Sequence, residues 1–194
     1  MGNLGIWEKS FRSVGWFIPP YIQMGVLSKI AADIRTAQGQ MSPEQLEVAL
    51  KSLYEPVGLA AMVLHRYPAA PVIQNYKFTI AEAIEAHFLG LDHIAVGGLT
   101  PVIEGAGRRL AGQRGLGPNM HIKDLFDALG TGIKEESAKE NIGAVEEIAS
   151  MMDSFIYFTR HAFYASSSVY LFRDGTNRNG IAHGAFSDSD YGSP

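Results

Sequence analysis

Arg178 and His183 stand with four residues between them in the segment Asn177-Arg178-Asn179-Gly180-Ile181-Ala182-His183-Gly184. The arginine is a permanent cation whose planar fork matches an oxyanion, and a histidine exchanges a proton near neutral pH. Asn177 and Asn179 add carboxamides that can donate and accept. Together these residue types can hold an anion and move a proton beside it. The same residues also fit a capped final turn, with Asn177 as N-cap and His183 near the C-terminal end of a short helix.

A second group lies upstream, in Glu104-Gly105-Ala106-Gly107-Arg108-Arg109. On a helix, Glu104 and Arg108 share a face and form an i,i+4 ion pair. Other familiar sites are missing from the chain. No glutamate has a histidine three residues later, and there is no His-Glu-x-x-His metal motif, phosphate loop, nucleophile elbow or Ser-x-x-Lys. With no cysteine, thiolate metal sites and disulfides are excluded. Neither a metal site nor a cofactor is therefore expected.

The Arg-x4-His spacing, the polar Asn179 after the arginine, the trailing Gly184 and the later Asp190-Tyr191-Gly192 resemble the HEPN superfamily in its abortive-infection type. Glu104 with the basic pair Arg108 and Arg109 resembles a motif that HEPN proteins carry on an earlier helix. The resemblance implies an up-and-down helical bundle and a metal-independent endoribonuclease that cleaves RNA by attack of the 2′-hydroxyl, in phage defence or a toxin system. It assigns Arg178, His183 and Asn179 to catalysis, and Asn177, Glu104, Arg108 and Arg109 to substrate binding or support. His183 is then the base or acid, Arg178 the phosphate ligand positioned by Glu104, and Asn179 the group that orients His183 or binds phosphate. One histidine does not supply both acid and base, and the family answer is a homodimer that juxtaposes two motifs. An antitoxin or regulatory partner belongs to the same expectation. The alternative is a catalytically inactive HEPN-type module that binds a nucleotide or a protein.

The elements that must position these residues are helical. Ile22, Val26, Leu27, Ile30, Ala31 and Ile34 make one apolar face over 21–37, and Ser42-Pro43-Glu44-Gln45 reads as a capping box opening a helix over 43–54. Further helices are expected over 57–65, from a Thr79 cap to Gly90, over 121–136, and over 142–165. The stretch 91–114 is helical in composition, with a kink at Thr100-Pro101. Its Gly98, Gly105 and Gly112 recur every seven residues and let another backbone approach, within the chain or across a two-fold axis. Only Val169–Phe172 reads as a short strand. The fold class is all-α.

Paired prolines at 19 and 20 end an aromatic arm expected to lie across the helical body as a clasp, and Tyr67–Pro71 is the internal boundary. Residues 1–71 are thus read as the arm and accessory helices, and 72–194 as the HEPN-like domain. The resemblance implies one more apolar helix after the motif, which the sequence through Pro194 does not contain. A formal charge of −4 argues against broad binding to nucleic acid and leaves room for a local basic site. No signal peptide or apolar run of about 18 residues is present, so the expected location is cytoplasmic, without a membrane partner.

Overall fold

The computed structural model describes residues 4–38, 41–172 and 176–192. Among these residues the regular structure is entirely helical, and the class is all-α. The helices are α1 (Leu4–Ser13), α2 (Met24–Thr36), α3 (Pro43–Lys51), α4 (Pro56–Ala61), α5 (Lys77–Phe88), α6 (Asp92–Gln113), α7 (Ile122–Glu140), α8 (Val145–Phe158) and α9 (Arg178–Ala182). Single wide π turns extend α4 over Met62–Arg66 and α8 over Thr159–Phe163. No helix among the described residues is long and apolar enough to cross a membrane.

The chain forms two compact units, Met1–Leu53 with Phe126–Ala165, and Tyr54–Leu125 with Ser166–Pro194. Tyr67–Pro71 lies inside the second unit, so the division does not fall at the proline-rich segment. The reason is visible in the first unit, where the N-terminal arm packs on a helix from far along the chain. Phe17 meets Phe158 and Phe155 with ring centroids 4.9 and 5.6 Å apart, and Trp16 meets Phe158 at 5.4 Å. The backbone N–H of Ile18 donates to Ser154 Oγ at 3.0 Å. The arm is also more ordered than its glycines and aromatics imply. Trp7, Phe11 and Val14 recur at helical spacing, so Leu4–Ser13 folds as α1 and buries that face against Leu27, Ile30 and Ile34.

In the second unit, α5 and α6 form the main helical hairpin, closed by a left-handed Gly90. One sequence expectation differs here. Thr79 lies within α5 rather than capping it, because a 3₁₀ turn over Ile73–Tyr76 leads directly into Lys77. Pro101 lies within a single α6 that starts no new helix. Gly97, four residues before it, offers no side chain under the ring, and the Thr100 hydroxyl donates to the Val96 carbonyl at 2.8 Å. Two glycines of the stripe serve intrachain contacts in this unit. A Cβ at Gly98 would sit 3.5 Å from that of Ala83, and one at Gly105 would sit 2.6 Å from the Tyr76 hydroxyl, whereas the space at Gly112 is open. Residues 169–172 form no strand; the end of a 3₁₀ turn at Val169 leads into extended chain.

Candidate functional site

The site is built on a five-residue helix, α9, that is bounded at both ends. Asn177 is fully buried and extended, and its Oδ1 accepts the Gly180 N–H at 2.7 Å. That bond satisfies one of the donors a helix start leaves open. Gly184 stops the helix at φ +66, and the Ala185 and Phe186 N–H groups both return to the Gly180 carbonyl, at 2.9 and 3.1 Å. Phe186 folds back so closely that a Cβ at Gly180 would lie 2.5 Å from its ring. The capped-turn reading and the chemical reading therefore fall on different residues. Asn177 and Gly180 hold the turn, which leaves Arg178, Asn179 and His183 to face outward chemistry.

Residues five apart on a regular helix point about 140° apart, yet here Arg178 and His183 meet. Arg178 is the first residue of α9, and His183 has already left helical geometry, at φ −101 and ψ 5. Arg178 Nη1 lies 3.1 Å from His183 Nε2. Because a guanidinium only donates, this is a hydrogen bond in which Nε2 accepts, with the ring proton on Nδ1. The same Nη1 approaches Asn179 Oδ1 at 3.3 Å, and the His183 N–H donates to the Asn179 carbonyl at 3.2 Å. The Asn179 side chain is thus engaged with the arginine, and its backbone with the histidine.

α6 packs against α9 and supplies the counter-charge. Glu104 Oε2 accepts from Arg178 Nη2 at 3.0 Å, while Oε1 accepts from Arg108 Nε and Nη2 at 3.2 and 3.1 Å. Glu104 and Arg178 are both about one quarter exposed, 23% and 24%, so the carboxylate is shielded where it fixes the arginine. Arg109 points to a different partner, with its Nε donating to the Tyr76 hydroxyl at 3.2 Å. Every residue assigned to the site from the sequence therefore lies in one unit, and Arg178 joins Glu104, Asn179 and His183 directly. Tyr76 was not legible as a neighbour, since it ends an irregular turn, although Gly105 beside Glu104 marked a point of close approach. Gly180 likewise carries no signal in the sequence for its close approach to Phe186.

The Asp190-Tyr191-Gly192 segment sits elsewhere. Asp190 accepts from both the N–H and the hydroxyl of Ser187, each at 2.7 Å, and these bonds hold its carboxyl below the ordinary range. The turn sets the Tyr191 ring 5.0 Å from that of His93, whose Nε2 donates to the Asp188 carbonyl at 3.1 Å. His93 precedes Glu104 on α6 by about 16 Å of helix axis, so this contact anchors the chain after α9 rather than entering the arginine cluster. Among the described residues no three histidine or carboxylate side chains gather as a metal site requires.

No family model, no curated protein and no solved structure matches this chain. The functional reading rests on the residues and their geometry.

Proposed function

We propose that the chain is a HEPN-type endoribonuclease that cleaves RNA without a metal, by attack of the 2′-hydroxyl on the adjacent phosphorus. The observation that carries this reading is the 3.1 Å contact between Arg178 and His183, with Arg178 braced by Glu104 at 3.0 Å. A phosphate entering the site replaces His183 as the partner of Arg178 Nη1, and the freed Nε2 lone pair faces the 2′-hydroxyl. His183 accepts that proton as the 2′-oxygen bonds to phosphorus. The bond to the 5′-oxygen breaks, leaving a 2′,3′-cyclic phosphate and a 5′-hydroxyl. Arg178 neutralises the charge that develops on the non-bridging oxygens, and Asn179 steadies the guanidinium.

The leaving 5′-oxygen needs a proton that the same histidine cannot give in the same step. In this reading a second copy of the chain supplies it from its own His183, making the active species a homodimer. A role in phage defence or in a toxin system, held in check by an antitoxin or regulatory partner in the cytoplasm, belongs to the same proposal. A nucleotide- or protein-binding module without catalysis is the alternative, and His183 bears on it because the side chain is exposed and accessible.

Purified protein incubated with structured RNA in EDTA is expected to yield 2′,3′-cyclic phosphate ends, and His183→Ala to abolish them. Undiminished cleavage by that variant overturns the assignment. Absence of cleavage by the wild type, with nucleotide binding weakened by Arg178→Ala, establishes the binding module instead.

A further inference from the structure

The two arginines that follow Glu104 are alike in sequence, but the structure gives them different work. Arg108 turns its Nε–Nη2 edge onto Glu104 Oε1 and so belongs to the brace of Arg178. Arg109 gives only its inner nitrogen to the protein, donating from Nε to the Tyr76 hydroxyl at 3.2 Å, with its guanidinium carbon 5.7 Å from the Tyr76 ring centroid. Arg109 is exposed, and the contact fixes the plane of its fork while leaving both Nη groups for a ligand.

Tyr76 is held for this task by an unusual seat. It ends the 3₁₀ turn before α5, and its hydroxyl presses onto α6 at Gly105, where a Cβ would lie 2.6 Å from the oxygen. A glycine inside a helix is less favourable than alanine, and at this position it makes room for the hydroxyl that aims Arg109. Glu104, the anchor of Arg178, is the preceding residue. Five residues along α6 carry Arg109 about 7.5 Å along the axis and about 140° around it from Glu104, so Arg109 opens on a different side of the helix from the Glu104–Arg178 pair.

We infer that Arg109 is a second phosphate subsite, which takes the backbone of a single-stranded polynucleotide as it passes around α6 beyond the phosphate held at Arg178, and that Tyr76 is its positioning residue. The relation to a cleaved phosphate rests on the nuclease reading; the subsite itself needs only phosphate binding. Arg109 is the ligand in the basic pair, and Arg108 acts through Glu104.

The test uses full-length protein and a fluorescent single-stranded DNA oligonucleotide, which lacks the attacking 2′-hydroxyl and so reports binding without cleavage. Arg109→Ala is expected to weaken binding about tenfold, the loss of a charged hydrogen-bond pair, and to lower the slope of log affinity against log salt by about 0.7, one phosphate contact on a single strand. Tyr76→Phe keeps the ring and removes the hydroxyl; it should weaken binding in the wild-type background and add nothing to Arg109→Ala. An unchanged salt slope in Arg109→Ala, full additivity of the two substitutions, or no binding of the oligonucleotide by the wild type overturns the subsite. Assays of RNA cleavage on the same proteins separate the two claims. Binding that follows this pattern without cleavage leaves the subsite standing and removes the nuclease reading, whereas cleavage with an unchanged salt slope does the reverse.

Discussion

Arg178 and Glu104 are brought together from positions 74 residues apart, with Nη2 and Oε2 at 3.0 Å, and this pair decides where the guanidinium can reach. Without the carboxylate, Arg178 keeps its bond to His183 but loses the contact that holds its fork away from solvent. Displacing a positioned catalytic group by about 1 Å can cost on the order of a hundredfold in rate.

Under the proposed nuclease function, Glu104→Ala and Glu104→Gln are therefore expected to lower the kcat for RNA cleavage by roughly 10- to 100-fold. Arg108→Ala should act in the same direction and more weakly, because Glu104 retains Arg178. The accompanying change in thermal stability should be small, since partly exposed ion pairs contribute at most about 1 kcal/mol. Measured kcat and melting temperature on the same preparations check both halves. Wild-type cleavage by Glu104→Ala would show that the brace has no part in the chemistry.

Asn177 acts on the same site through the backbone. It is fully buried, and its Oδ1 is the acceptor for the Gly180 N–H at 2.7 Å. Asn177→Ala should destabilise the protein by about 1–2 kcal/mol, the usual worth of a side-chain cap, whereas Asn177→Asp, which keeps the acceptor, should lose less. Denaturation with urea measures the difference. Equal losses in the two variants would mean that the cap bond is not what Asn177 contributes.

The helices and the site were legible to different depths, for physical reasons. Where one apolar stripe buries against one neighbour, as in α2 with Leu27, Ile30, Ala31 and Ile34, periodicity alone locates the element. The capping box at Ser42 was equally readable, and both of its bonds are present. α1 escaped although Trp7, Phe11 and Val14 carry the period, because a helix of ten residues is marginal on its own and takes its stability from tertiary packing. The division of the chain escaped for a related reason. The contacts of Phe17 and Ile18 with Phe155, Phe158 and Ser154 span more than a hundred residues, and no local pattern encodes them. In the site, residue types and spacing singled out Arg178, His183 and Glu104, and the structure brings the three together. That Arg178 reaches His183 at all depends on where α9 begins and ends, which Asn177, Gly180, Gly184 and Phe186 settle together.

Tyr54 and Tyr67 give the second unit a stability that depends on high pH. Burial pushes both phenols above the ordinary value of 10.0. The neighbouring Tyr67 adds to the shift at Tyr54, and Arg66 partly offsets it at Tyr67. With the folded pKa above the unfolded one, the unfolded chain releases these protons first as pH rises, and folding stability falls over that interval. The contribution is complete below about pH 10 and is lost as pH climbs through the raised folded values. Urea midpoints measured at increasing alkaline pH should fall for the wild type and fall less steeply for Tyr54→Phe, with the phenolate absorbance of the folded protein showing late-titrating tyrosines. Identical slopes for the two proteins would refute the assignment to Tyr54.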